Sequence, residues 1–167
     1  MTSYHRPDTL DAALTLRKAG QITVAAGCTD LFPGTQTKAL AGPILDITGI
    51  ASLRGISHDD SGIRIGGATT WSDVITAPLP PVFDGLKAAA HEIGSVQIQN
   101  VGTIAGNLCN ASPAADGVPP LLTLAANVAL TSQSGTRRMP VSEFLQGVRQ
   151  TALREDELLT ALHIPAQ

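Results

Sequence analysis

The chain has 167 residues, 43% of them apolar and 15% charged, with a formal net charge of −3. That length suits about one domain with a sizeable core. Scattered Lys and Arg lack the electrostatic footprint of nucleic-acid binding, and 3% aromatic residues provide no stacking platform for single strands.

The N-terminus, MTSYHRPDTLD, is polar, and no apolar run approaches the length of a membrane span, so the sequence reads as cytoplasmic. Cys28 and Cys109 are far apart and form no CxxC pair. They cannot by themselves ligate an iron–sulfur cluster, and His5, His58, His91 and His163 show no zinc-ligand spacing with them. Both cysteines are expected to be small packed residues in glycine-rich loops.

In chain order, Tyr4 to Pro7 should enter extended. Asp8 is a good N-cap for a helix carrying Leu10, Ala13, Leu14 and Leu16, which Gly20 stops. Ile22 to Ala26 reads as a buried strand running into Gly27-Cys28-Thr29-Asp30. Anions settle at such strand-to-loop junctions when free N–H groups point outward. Taken alone, these four residues fit a tight turn with an Asx cap better.

Ile44 to Ile47 is a short strand, and Leu53–Ile56 with Ile63–Ile65 suggests a hairpin around Ser57–Gly62. Trp71 to Ile75 should form a helical turn in which Trp71 packs. Phe83, Leu86, Ala90 and Ile93 mark the buried face of an amphipathic helix, and His91 lies off that stripe.

Val101 to Asp116, VGTIAGNLCNASPAAD, is the most informative stretch. It reads as a small-residue loop with Gly102 and Gly106, polar side chains on Thr103, Asn107 and Asn110, one carboxylate in Asp116, and no Lys or Arg. Glycine lets a ligand approach the main chain, and successive N–H groups can form an anion-binding nest. The other reading is a plain surface connection. Further on, Pro119-Pro120 starts a helix, and Val128–Leu130 with Arg137–Val141 forms a second hairpin pattern. Ser142 caps a short helix, and Leu158 to Ile164 is a last strand ended by Pro165.

Helices and strands interleave without strict alternation, which gives an α+β class. An internal boundary near Thr48–Ser52 divides a small N-terminal subdomain, 1–52, from a larger α+β subdomain, 53–167. The loops at 27–30 and 102–107 could meet where the two face each other, a favoured place for cofactors.

VAAGCTDLFP followed by SVQIQNVGTIAGNLCNASPAAD resembles the FAD-binding domain, or medium subunit, of the xanthine dehydrogenase family of molybdenum hydroxylases. That family includes carbon monoxide dehydrogenase. YHRPDTLDAAL, LDITGI, LRGI, IRIGGATTWSDV and ALREDELLTALHIP extend the resemblance over essentially the whole chain. It implies the two-subdomain fold of vanillyl-alcohol oxidase and molybdopterin dehydrogenase type flavoproteins, with FAD between the subdomains. The first FAD loop then corresponds to Ala25, Ala26, Gly27, Cys28, Thr29, Asp30, Leu31 and Phe32, whose amides meet the pyrophosphate. The second corresponds to Thr103, Ile104, Ala105, Gly106 and Asn107. Asp116 corresponds to an acidic residue on the cofactor's polar chain, and Leu159 to a leucine near the flavin.

The chain departs from the pattern at Cys28 and Ala105, where the family usually has glycine, and at Gln99, where a basic residue is common. A positive φ at Cys28 would be strained. Relatives also continue past the strand ending in Ile164-Pro165, so the chain is expected to be an excised domain or one completed by another chain. The resemblance implies an oxidoreductase component with FAD as its cofactor, no metal and no catalytic acid or base of its own. Its partners would be an iron–sulfur subunit and a molybdenum-cofactor subunit, with NAD or another acceptor taking the electrons. The alternative is a non-catalytic assembly subunit that keeps the fold without FAD.

Overall fold

The structure, a computed structural model, describes residues 3–36 and 40–166. Strand β1 (Tyr4–His5) leads into helix α1 (Leu10–Lys18), whose N-cap is Thr9 rather than Asp8. The Thr9 hydroxyl accepts from the Ala12 N–H at 3.3 Å, satisfying a donor that the first turn leaves unpaired. Strands β2 (Thr23–Ala25) and β3 (Ile44–Asp46) complete a small parallel sheet in the order β1-β3-β2. Its core holds Ala13, Leu14, Ile22, Leu45, Ile47 and Ile50.

The first hairpin is β4 (Ile56–Asp59) with β5 (Gly62–Gly66). Leu53, expected in its first strand, belongs to a 3-10 turn over Ala51–Leu53 and is buried. Five short helices follow: α2 (Trp71–Thr76), α3 (Asp84–Glu92), α4 (Val96–Val101), α5 (Ile104–Asn110) and α6 (Val118–Thr123). The middle of the loop expected over Val101–Asp116 is therefore helical, as is the segment before it. The second hairpin is β6 (Asn127–Ser132) with β7 (Gly135–Pro140). Helix α7 (Val141–Phe144) follows Pro140 directly, so Ser142 lies inside it and caps nothing. The strands β8 (Leu145–Gly147) and β9 (Gln150–Thr151) form a small hairpin of their own.

The last strand, β10 (Leu158–Pro165), enters between the two large hairpins and gives a five-stranded antiparallel sheet in the order β4-β5-β10-β6-β7. Its register shifts between Leu159 and Ala161. Before this irregularity the alternation of the strand sends Leu158 to the core of the small sheet and Leu159 to the large core around Trp71, Phe83, Ile104 and Phe144. One strand thus joins two hydrophobic clusters. Among the described residues no helix is long and apolar enough to cross a membrane.

Candidate functional site

The end of β2 runs into the turn at 26–31, and this turn rests directly on the junction of α4 and α5. The contact is made by Gly27: a Cβ built there would lie 2.0 Å from the carbonyl oxygen of Val101 and 2.8 Å from the Cα of Gly102. Only a residue without a side chain lets the two main chains come this close. Gly102 in turn faces the Thr29 hydroxyl and the Trp71 ring, 3.6 and 3.5 Å from where its own Cβ would be. The two segments singled out in the sequence are therefore neighbours.

They flank a cleft of about 590 Å³, a usual size for a small-molecule site. Of the sequence-predicted site residues, Ala26, Gly27, Cys28, Thr29, Asp30, Leu31, Thr103, Ala105, Gly106, Asn107, Asp116 and Leu159 line it. Ala25, Ile104 and Phe32 do not. Ala25 is buried in β2 and Ile104 is fully buried in the large core, while Phe32 is 55% exposed beyond the turn.

The segments differ in what their main chains offer. In the first, the N–H groups of Gly27, Cys28, Thr29, Asp30 and Leu31 donate to no described residue. Cys28 holds φ at +56°, the left-handed value that lets successive amides share one side of a turn. The second segment is not a nest, because its amides from Ile104 to Asn107 are already paired. The Ile104 N–H goes to the Thr69 carbonyl (3.0 Å) and the Ala105 N–H to the Gly67 carbonyl (3.2 Å). The Gly106 N–H donates to the Thr103 hydroxyl (3.1 Å) and the Asn107 N–H to the Thr103 carbonyl (3.0 Å). Helix α5 therefore contributes shape and side chains. Among these, Asn107 Oδ1 is buried and has no hydrogen-bond partner among the described residues, an acceptor left open on the cleft wall.

Charge on the wall is sparse. Arg17 lines the cleft, but its Nη1 donates to the Ile22 carbonyl (2.8 Å) and its Nε to that of Glu157 (3.3 Å). Desolvation lowers its pKa. Asp30 and Asp116 add exposed carboxylates at the wall, better suited to hydroxyl groups than to phosphate. Gln99 lies outside the cleft; it is buried, and its Nε2 donates to the His91 carbonyl at 3.0 Å. Among the described residues no cluster of metal-ligating side chains forms.

Several lining residues were not singled out by the sequence: Arg17, Leu153, Leu158 and Cys109 among them. Cys109 is on α5 rather than in a loop; it is exposed and lines the cleft, and desolvation by the surrounding protein pushes its thiol pKa up to about 12. Cys28 is half-buried and its thiol is also pushed up by desolvation. Leu158 is next to Leu159 on β10; the two pack into different cores, yet both reach the cleft.

The lining suits a ligand with an anionic group, hydroxyl groups and an apolar part: amides for the anion, an open acceptor and two carboxylates for hydroxyl groups, and the apolar side chains of Ile22, Val24, Leu153 and Leu158. The comparisons agree with that chemistry. Residues 1–167 match the family described as the FAD binding domain in molybdopterin dehydrogenase. The chain is 38% identical over 169 residues to a xanthine dehydrogenase FAD-binding subunit of Escherichia coli O157:H7, covering 99% of this chain and 58% of that protein. It is 34% identical to the carbon monoxide dehydrogenase medium chain of Afipia carboxidovorans, over 97% of this chain and 58% of that one. Reconstituted carbon monoxide dehydrogenase from Oligotropha carboxidovorans superposes with a TM-score of 0.89 at 30% identity, covering all of this chain and 60% of that chain. The chain thus spans less than two thirds of the relatives it matches. It belongs to the FAD-binding domain family of the molybdopterin dehydrogenases.

Proposed function

We propose that this chain is the FAD-carrying, electron-transferring component of a molybdenum-containing hydroxylase or dehydrogenase. In that reading it works with an iron–sulfur subunit and a molybdenum-cofactor subunit, and passes electrons to NAD or another acceptor. The observation that carries the reading is the run of amides at Gly27–Leu31 that donate to none of the described residues, over a cleft that also holds the open acceptor Asn107 Oδ1.

FAD, when bound, supplies the exchange between two-electron and one-electron chemistry. The chain's residues bind and orient it. The amides of Gly27–Leu31 hold the diphosphate in place of cationic side chains, and Thr103 and Asn107 present hydrogen-bonding groups beside them. Asp116 accepts from hydroxyl groups. Leu159, opposite Leu130 of β6 and buried, excludes water on the core side. No residue of the cleft is assigned a proton-transfer role.

We also propose residues 1–52 and 53–167 as the two subdomains. The parallel sheet falls in the first and the antiparallel sheet in the second, although Ala68 and Leu158 pack into the smaller core.

The test is reconstitution. The purified chain is incubated with FAD, freed of excess by gel filtration, and its visible spectrum recorded. Retained flavin bands at about one FAD per chain are expected. A colourless protein overturns the reading and favours the second one, an assembly subunit that keeps the fold without FAD. One observation favours that second reading: Cys28 places a side chain at a left-handed position in the turn that would hold the diphosphate. Co-elution with an iron–sulfur and a molybdenum protein from the source cell tests the partners.

A further inference from the structure

Two non-glycine residues from distant parts of the chain both hold left-handed backbone and are bonded to each other. Ala111 ends α5 with φ +44°, and Arg149 sits at the tip of the β8–β9 hairpin with φ +58°. Such a conformation is strained for an L-residue, so it persists only where neighbouring contacts over-determine it.

Here the contacts are plain. The Arg149 N–H donates to the Ala111 carbonyl at 2.9 Å. Its guanidinium Nη1 donates to the Asn110 carbonyl at 3.3 Å and to Asn110 Oδ1. Both carbonyls belong to the end of a helix, which has no donors of its own for them. A guanidinium also suits the negative end of the helix dipole. Val148, its neighbour at the tip, is 65% exposed, so apolar packing does not hold the tip down. Arg149 is the fastening.

Arg149 does not line the cleft, but Asn110 does, and Gly106, Asn107 and Cys109 precede it on the same short helix. We propose that Arg149 is a positioning residue: the β8–β9 hairpin is a strap that fixes the far end of α5, and thereby the cleft-facing side chains of Asn107 and Asn110, for the bound cofactor. This rests on the FAD reading above.

The test compares Arg149→Gly, Arg149→Ala and Arg149→Lys in the full chain. Glycine accepts the left-handed φ, so Arg149→Gly removes the guanidinium while leaving the tip unstrained. FAD affinity is expected to fall about tenfold in the Gly and Ala variants, with a changed visible circular dichroism of the flavin that remains bound. Lysine, which keeps a cationic donor, should recover most of both. An Arg149→Gly variant with parental affinity and flavin spectrum overturns the proposal. Amide exchange across residues 104–111 is read in parallel without FAD, and should be faster in Arg149→Gly. Unchanged exchange also overturns the strap, even if the parent chain itself binds no FAD, which would sink the FAD reading separately.

Discussion

Gly27 and Val101 touch main chain to main chain: a side chain on the first would begin 2.0 Å from the carbonyl oxygen of the second. The atom in the way is backbone, which cannot rotate aside. Gly27→Ala is therefore expected to force the β2 turn off the α4–α5 junction. We expect a lowered melting temperature, from overpacking of about 1–3 kcal/mol, together with loss of retained flavin. A variant that melts and binds like the parent would mean that the two segments do not meet.

Cys28→Gly should act in the opposite sense. With φ at +56° and only a long thiol contact to the Ala26 carbonyl (3.6 Å), Cys28 keeps more strain than bonding. The variant is expected to gain about 1 kcal/mol in a denaturant titration and to bind FAD at least as well. A fall in stability would show that the Cys28 side chain packs better than its backbone is strained.

Asn107→Ala separates binding from folding. Its Oδ1 is buried without a partner among the described residues, so removing it spares the FAD-free protein a desolvated polar atom. The FAD-free variant should melt at or above the parental temperature. Its FAD affinity, by fluorescence titration, should fall by about 1–3 kcal/mol. Equal loss in both measurements would make Asn107 a structural residue.

Acid sensitivity should centre on Glu157. Its side chain is 4% exposed and takes two bonds from Arg137 (2.6 and 2.9 Å) and one from the Arg154 N–H (2.9 Å). The Arg137 hydrogen bonds hold its pKa below the ordinary 4.5. A depressed carboxylate contributes stability that is present above 4.5 and lost as the pH falls through the folded-state value. Glu157→Gln should cost roughly 2 kcal/mol at neutral pH, since Arg137 is partly open to solvent, and should flatten the acid limb of melting temperature against pH. Asp46, Asp59 and Asp73 are lowered too, so part of that limb remains. An unchanged limb would exclude Glu157 as its source.

The strands were the legible part of the chain. Ile63–Ile65, Val128–Leu130 and Leu158–Ile164 carry apolar runs bounded by turn residues, and each is a strand. The 26–31 turn was legible because a buried strand ends in small and polar residues. Helix α5 was not. Gly106, Asn107 and Asn110 are poor helix formers, and its first two amides are paired by carbonyls of Thr69 and Gly67, far away in sequence. Tertiary partners, not local preference, make those residues helical. The same holds for Arg17: helical spacing placed it on α1, but only the packing of α1 against β3 and β6 brings it to the cleft. The cap falls at Thr9, one residue after Asp8, a difference that sequence preference alone does not decide.

The place of β10 between β5 and β6 also bears on how the molecule is made on the ribosome. Both flanking hairpins emerge well before it and must wait with one long edge unsatisfied, which invites sticky encounters with other nascent chains. The ordering step is a late insertion joining partners distant in sequence, which is slow for entropic reasons. Because Leu158 and Leu159 arrive on that same strand, the pocket has no floor until vectorial synthesis has passed them, and ligand capture must follow release of this segment from the exit tunnel.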